Sequence, residues 1–271
     1  MIDESLTLTI VIPAYNEQDY IALCLRSIEA QSVMPDEVIV VDNNSTDDTV
    51  KIAERFKFVK ILKESRQHQV FAQAAGFNAA TSDILGRIDA DSVLPADWVK
   101  NVKGAFAAQN TVAVTGGPEP YDVILIRGGK FIFYTFFFLV RLVVGHWMLW
   151  GSNCAFRRSA WEEAKNQMLM RADIWEDYDL ALCFEQYGQI RFMKKIKVGN
   201  SFRVGHTSPW HQLEYQIRAV RTFWLKLNPF QALLLTFLWL MVILVSPIPL
   251  LDKILVKFIS PNSADNNNTF N

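Results

Sequence analysis

The sequence predicts an α/β fold, a doubly wound and mostly parallel sheet followed by a C-terminal membrane-associated helical segment. Short β-branched apolar runs alternate with stretches of helical periodicity through about residue 115, the pattern of a parallel sheet. Each early run ends in a polar, turn-forming cluster. Leu227 to Leu251 then contains no charged residue over 25 positions, which predicts the last segment.

In chain order, Leu6 to Ile12 (Leu-Thr-Leu-Thr-Ile-Val-Ile) reads as a buried strand halted by Pro13. Tyr20 to Ala30 places Ile21, Leu25 and Ile28 at helical spacing. Glu37 to Val41 is a second buried strand, closed by the turn and N-cap residues Asp42 to Asp47, and a helix follows from Thr49 to Phe56. Phe58 to Leu62 is a third strand, Val70 to Ala80 an Ala-rich helix, and Ile84 to Ile88 a strand running into Asp89-Ala90-Asp91.

Phe131 to Trp150 is apolar and strongly aromatic apart from Arg141 at its centre, and that arginine makes a full membrane span costly. It reads as a buried core helix or, as favoured here, a helix or helix pair at the membrane interface with Arg141 near headgroups. Leu227 to Leu251 is long enough to cross a bilayer, but Pro247 and Pro249 spoil its last turn. A re-entrant or in-plane helix therefore stands beside a transmembrane one, with a soluble core helix as the alternative. The division expected is an α/β domain over 1–226, a transmembrane or membrane-embedded segment over 227–251 and a short tail over 252–271, Asn-rich at its end.

With 27 Lys+Arg against 28 Asp+Glu, the net charge of −1 excludes a protein that holds nucleic acid by bulk phosphate neutralisation. At 51% hydrophobic and 20% charged residues, the chain is greasier than an average soluble domain. Cys24, Cys154 and Cys183 are in no metal-ligand spacing and fit a reducing compartment without disulfides. Asp3 and Glu4 follow Met1 directly, unlike a signal peptide.

Ligands of open α/β sheets bind at the carboxyl ends of the strands. Three strand ends here carry polar clusters: Tyr15-Asn16-Glu17, Asp42 to Asp47, and Asp89 with Asp91. Each alone has a local explanation, since Asn16, Asp19, Ser45 or Thr46 would cap a helix and Asp42 would close an Asx-turn. Together on one rim they make a site for a cation and a polar ligand. Asp89 and Asp91, two apart on a strand, face the same side, and carboxylate oxygens suit Mg²⁺ or Mn²⁺ shared with substrate phosphates. Such an ion would neutralise a leaving diphosphate, a task for which the chain has no Gly-rich phosphate loop. In a fourth cluster, Trp175-Glu176-Asp177-Tyr178-Asp179, the acids either complement a helix dipole or place a general base at the site's edge.

These segments resemble the motifs of the family 2 glycosyltransferases, inverting enzymes of the GT-A fold that use nucleotide-sugars. Pro13-Ala14-Tyr15-Asn16-Glu17 resembles the opening P-x-Y-N-E, and Val41 to Thr49 resembles V-D-[DN]-x-S-x-D-x-T. Asp89-Ala90-Asp91 resembles the D-x-D motif, Gly151-Ser152-Asn153 with Phe156-Arg157-Arg158 the acceptor-side segment, and Glu176-Asp177 the E-D motif. The five occur in the family's order over about two-thirds of the chain.

The resemblance implies that Pro13, Tyr15, Glu17, Asp42 and Asp89 hold the nucleotide, that Asp91 with Asp89 binds the metal, and that Asp177, supported by Glu176, is the catalytic base. The family often has A-R-N upstream of its D-x-D, where this chain has Ala72-Gln73-Ala74; Arg66 or Arg87 would then supply the missing cation at the donor. His206 is a further candidate metal or phosphate ligand, with a structural role as its alternative. The Q-x-x-R-W motif of processive synthases is only loosely echoed by Gln216 to Arg221 and Trp224, so the expectation is non-processive transfer.

The reading is of a metal-dependent (Mg²⁺ or Mn²⁺) transferase moving sugar from a nucleotide-sugar, UDP-linked by family analogy, to an acceptor hydroxyl, lipid or lipid-linked. It would sit on a membrane with its catalytic domain cytoplasmic, where nucleotide-sugars are found. Arg218, Arg221 and Lys226 before the last apolar run fit that orientation, against Lys253 and Lys257 after it. A nucleotidyltransferase is disfavoured because Pro13 to Asp19 contains no Lys or Arg; a membrane-tethered nucleotide-sugar-binding subunit is the non-enzymatic alternative.

Overall fold

The computed structural model describes residues 5–119, 126–201 and 209–245. Strand β1 (Leu8–Ala14) is followed by helix α1 (Ile21–Glu29), β2 (Glu37–Asp42), α2 (Thr49–Ala53), β3 (Val59–Lys63), α3 (Gln69–Ala79) and β4 (Ile84–Ile88). Next come α4 (Trp98–Ala105), β5 (Thr111–Thr115), α5 (Ile126–Val144), β6 (Asn153–Arg157), α6 (Arg158–Ala164) and α7 (Glu176–Phe184). The described chain closes with β7 (Gln189–Phe192), α8 (Pro209–Lys226) and α9 (Pro229–Val245).

The strands form one seven-stranded sheet in the order β3-β2-β1-β4-β6-β5-β7. The block β3-β2-β1-β4 is parallel, as is the pair β5-β7, but β6 runs antiparallel to both neighbours. The sheet is thus mixed, because β6 is threaded back between β4 and β5 after the long excursion through α5. Pro13 lies inside β1, opposite Val41, rather than beyond the strand's end.

Alternate residues of β1 serve two cores. Leu8, Ile10 and Ile12 pack with Ile21, Leu25 and Ile28 of α1 and Trp98 of α4. Val11 faces the other way, with Val41, Leu85, Phe77 of α3, Phe156 and Trp161. With both faces covered, the strands read as continuous apolar runs. Gly76 lets α3 lie close on the sheet, since a Cβ there would collide with Val11 and Val41. The strand order reverses between β1 and β4, which opens a crevice at their carboxyl ends.

Helix α5 begins before the predicted Phe131 and stops at Val144, where Gly145 takes φ +89°. Its Phe136, Phe137, Val140 and Val144 are buried, while Phe138 and Leu142 face outward. The guanidinium of Arg141 lies 4.8 Å from the centre of the Trp147 ring.

The sequence also predicts that a transmembrane helix can begin near Leu227. Among the described residues, however, no helix is long and apolar enough to cross a membrane. One face of α9 also belongs to the protein core, with Ala232, Leu235 and Trp239 buried. Trp239 meets Phe136 of α5 and Trp175 edge-on, both at 4.9 Å between ring centres. Pro247, Pro249 and the tail lie outside the described residues.

The basic residues of α8 have partners within the chain. Lys226 Nζ is 2.6 Å from the fully buried Asp179 carboxylate, Arg221 is 2.7 Å from Asp173 and Arg218 is 3.2 Å from Glu214. They tie α8 to α7, to the loop before it and to its own first turns. Cys24, Cys154 and Cys183 are free and buried.

Candidate active site

The crevice is built from three loops that hydrogen-bond to one another. Asn16 and Asn44 both occupy the left-handed region, at φ 54° and 67°, which asparagine tolerates better than most residues. Asn16 Oδ1 accepts the Thr46 amide at 2.8 Å, Thr49 Oγ1 accepts the Glu17 amide at 2.7 Å, and Asp47 accepts the Gln18 amide at 3.1 Å. Asn43 reaches the other way, donating to the carbonyls of Glu64 and Arg66 at 2.8 Å and accepting the His68 amide at 2.9 Å. Much of the segment Asp42 to Thr49 therefore fixes the loops after β1 and β3. Asp42 itself closes the anticipated turn, accepting the Ser45 amide at 2.9 Å. Tyr15 is left half-exposed at the rim.

At the centre lies Arg87, in β4 and 3% exposed. Its guanidinium contacts Asp177 directly, lies 3.1 Å from Asp89 Oδ1 and 3.8 Å from Glu176 Oε1. Helix α3 adds Gln69, which donates to Asp89 at 3.3 Å, and Gln73, which donates to Glu176 at 3.2 Å. Gly151 floors the cluster, because any Cβ there would collide with Arg87 Nη1 and the Asp177 carboxylate. Burial pushes the Asp177 carboxyl up to about 7, and Glu176 and Asp89 add to that rise; Arg87 opposes it. The buried Arg87 is held above its ordinary range by the same carboxylates, against the penalty of burial. His68, the N-cap of α3, is half-buried near Glu176 with Arg218 Nη1 3.4 Å from its Nε2, and burial holds its imidazole below the usual range.

Asp91 is buried beside this cluster. Beneath it the Cys24 thiol is driven far above the ordinary range, first by burial and then by the charges of Asp91, Asp89 and Glu17. Asp89 and Asp91 lie two residues apart where β4 ends. Their donor atoms are all oxygens, suited to Mg²⁺ or Mn²⁺. Among the described residues no group of three or more His, Cys, Asp or Glu makes a ready metal cage. Two carboxylates are, however, what a cation shared with substrate phosphates takes from its protein.

The structure therefore brings Asp89, Asp177, Glu176 and Arg87 into contact and sets Asp91, Glu17, Tyr15 and Asp42 along the adjoining rim. Arg66 points elsewhere, pairing with Glu64 at 2.8 Å and lying over the Phe71 ring. Arg87, not Arg66, occupies the centre of the carboxylate cluster. His206 lies outside the described residues. Sequence reasoning missed His68, Gln69 and the positive contribution of Gln73. Their signal is their spacing of four and five along α3, which aligns Gln69 and Gln73 on one helix face.

The family model described as Glycosyl transferase family 2 matches residues 9–164. The O-antigen chain rhamnosyltransferase RfbN of Salmonella typhimurium is 24% identical over 85% of this chain and 86% of its own length. Several other curated relatives are matched over less than two-thirds of their length: 62% of an uncharacterised Nostoc glycosyltransferase and 43% of glycosyltransferase GlyG from Streptococcus pneumoniae. Among solved structures, a mannosyltransferase from Pyrobaculum calidifontis in complex with GDP-Man and Mn²⁺ superposes with a TM-score of 0.65 at 20% identity, covering 97% of this chain and 79% of that one. Glucosyl-3-phosphoglycerate synthase from Mycobacterium tuberculosis, in complex with Mn²⁺, UDP and phosphoglyceric acid, gives a TM-score of 0.57 at 19% identity, over 79% and 76%. The family match spans more than half of the chain and contains the loops after β1 and β2 and the Asp89-Ala90-Asp91 segment; the chain belongs to glycosyl transferase family 2.

Proposed function

We propose that this protein is a non-processive, inverting glycosyltransferase that moves a sugar from a nucleoside diphosphate sugar to an acceptor hydroxyl. The observation that carries the reading is the cluster in which Arg87 joins Asp177 and Glu176 of α7 to Asp89 at the end of β4. Three carboxylates around one buried cation at the sheet's switch point support a proton acceptor beside donor-binding acids.

Asp177, with its carboxyl near neutrality, takes the proton from the acceptor hydroxyl as that oxygen bonds to the anomeric carbon. The bond from that carbon to the diphosphate oxygen breaks with its electron pair leaving on the nucleoside diphosphate, and one displacement inverts the configuration. Glu176, held by Gln73, steadies the first turn of α7. Tyr15, Glu17 and Asp42 border the nucleotide, with Pro13 shaping the strand end beneath them. Asp91 and Asp89 would hold Mg²⁺ or Mn²⁺, which when bound neutralises charge on the departing diphosphate. The neighbours' GDP-Man, UDP and Mn²⁺ support this donor class, and GDP- and UDP-sugars are the donors to try first. We place the domain on the cytoplasmic side of a membrane, with a lipid or lipid-linked hydroxyl as acceptor.

The test is release of nucleoside diphosphate from UDP- and GDP-sugars in the presence of membrane lipid extract, with Mn²⁺ and then with EDTA. Metal-dependent release that falls at least a hundredfold in Asp177→Asn, while donor binding by calorimetry is kept, is the expected result. Donor binding with no transfer or hydrolysis, unchanged in Asp177→Asn, would reassign the chain as a nucleotide-sugar-binding subunit.

A further inference from the structure

We infer that α9 is a bilayer seat, a helix lying flat in the lipid interface rather than across it. Six large apolar side chains, Phe230, Leu233, Leu234, Phe237, Leu240 and Met241, face outward from it, with Phe230 75% exposed and the others 37–61%. Their spacing of three, four and seven residues places them on one stripe, opposite the buried Ala232, Leu235 and Trp239. The stripe leaves on the order of 600 Å² of apolar surface uncovered, more than an ordinary monomer's scattered exposures.

Neighbouring helices widen it. Trp224 of α8 is half-exposed, and its indole N–H donates to Thr236 Oγ1 of α9 at 3.1 Å, so its ring lies against the stripe. On the other side Gln231 of α9 donates to the Val143 carbonyl of α5 at 3.0 Å, next to the outward-facing Leu142.

The occupant is lipid rather than a second copy of the chain. The stripe has no charged side chain to set a register against a protein surface. Its border has what an interface helix carries, a tryptophan with a satisfied N–H. The sequence beyond α9 continues the same chemistry, uncharged through Leu251 and then mixing Lys253 and Lys257 with Ile254, Leu255, Val256 and Phe258. Such a chain adds apolar grip and attraction to anionic headgroups.

The flat orientation follows from packing. The inner face of α9 belongs to the core through Ala232, Leu235 and Trp239, and Trp239 meets Phe136 of α5, Tyr178 of α7 and Phe223 of α8. Standing α9 upright would drag Arg221, Lys226 and their carboxylates toward hydrocarbon, where charge is expensive. Laid flat, the helix meets lipid with one face and protein with the other. Trp239 on the inner face touches Trp175 and Tyr178, which flank Glu176 and Asp177, so the seat lies one side-chain layer from the carboxylate cluster.

The experiment is flotation of the full chain, free of detergent, with phosphatidylcholine vesicles and with phosphatidylcholine–phosphatidylglycerol vesicles. Wild type is expected to float with both, more with the anionic lipid. Replacing Leu233, Phe237 and Leu240 together by Ser should lower vesicle partitioning at least tenfold without a change in the unfolding transition; if that variant misfolds, the three single replacements serve instead. Because the native cysteines are buried, fluorophores on Phe230→Cys and Met241→Cys report depth alone. Equal quenching of both by shallow nitroxide lipids is expected.

Flotation of the triple variant like wild type, failure of wild type to float, or unequal depths of the two labels would each overturn the seat. So would a wild-type dimer that the triple replacement turns into a monomer, which would assign the stripe to a second copy. Flotation needs no turnover, so its failure would leave the transfer reaction standing, and inactivity would leave the seat standing.

Discussion

Replacing Arg87 by methionine removes the only guanidinium in contact with Asp177, Asp89 and Glu176 among the described residues, while keeping much of the side chain's length. Breaking a buried ion pair by deleting one partner costs ~3–5 kcal/mol, because the remaining charge is left uncompensated. Asp89 is 35% and Asp177 25% exposed, so water partly screens the orphaned carboxylates and the loss should fall at the low end, about 3 kcal/mol. The deficit has a pH signature. Burial already raises the Asp177 carboxyl above its unfolded value, and removing Arg87 deletes the charge that opposes that rise, so the native state holds more protons than the unfolded chain. Its stability then falls as pH rises from about 4 to beyond 7. Urea denaturation of wild type and Arg87→Met at pH 5 and pH 8 should show the larger gap at pH 8. Arg87→Met/Asp177→Asn, with one orphaned charge removed, should recover at least half of the loss. A gap below about 1 kcal/mol, or one that grows toward pH 5, would refute the view of Arg87 as the counter-charge of the cluster.

Because the Asp177 carboxyl lies near 7 and must be ionised to accept a proton, kcat/KM should rise with pH along an acid limb centred near neutrality. A profile flat from pH 5 to 8 would count against Asp177 as the base. Gly151→Ala forces a Cβ onto Arg87 and Asp177, and the displacement should lower kcat/KM by about a hundredfold with only a modest fall in melting temperature. Near-normal activity would show that the cluster tolerates movement. Trp239→Ala empties a buried aromatic site between Phe136, Trp175 and Phe223 and should cost about 4 kcal/mol in urea denaturation. A loss under about 1 kcal/mol would mean that α9 contributes little to the folded core.

Much of the polar rim was legible because it is local. Strand runs buried on both faces announce themselves as continuous β-branched stretches, and polar residues at their ends must lie on one rim of a parallel sheet. Asp89, Asp91, Asp42 and Glu17 were found by that logic. Arg66 and Arg87 were equal candidates for the missing cation. Their difference is one of surroundings: Glu64, two residues away, captures Arg66, whereas the nearest carboxylates to the buried Arg87 include Asp177, 90 residues along the chain. The departure at Ala72-Gln73-Ala74 looked like a loss, yet Gln73 holds Glu176.

The sequence by itself determined the parallel character of the early strands, the polar rim and the two acids at the start of α7, since each depends on periodicity or on neighbours a few residues away. Only the tertiary structure decided where β6 enters the sheet, which arginine centres the cluster and what α9 does with its two faces. An uncharged helix has the same composition whether it lies in lipid or in a protein core. For α9 the buried side was decided by Trp239 and its aromatic partners on three other helices, contacts that no local pattern encodes.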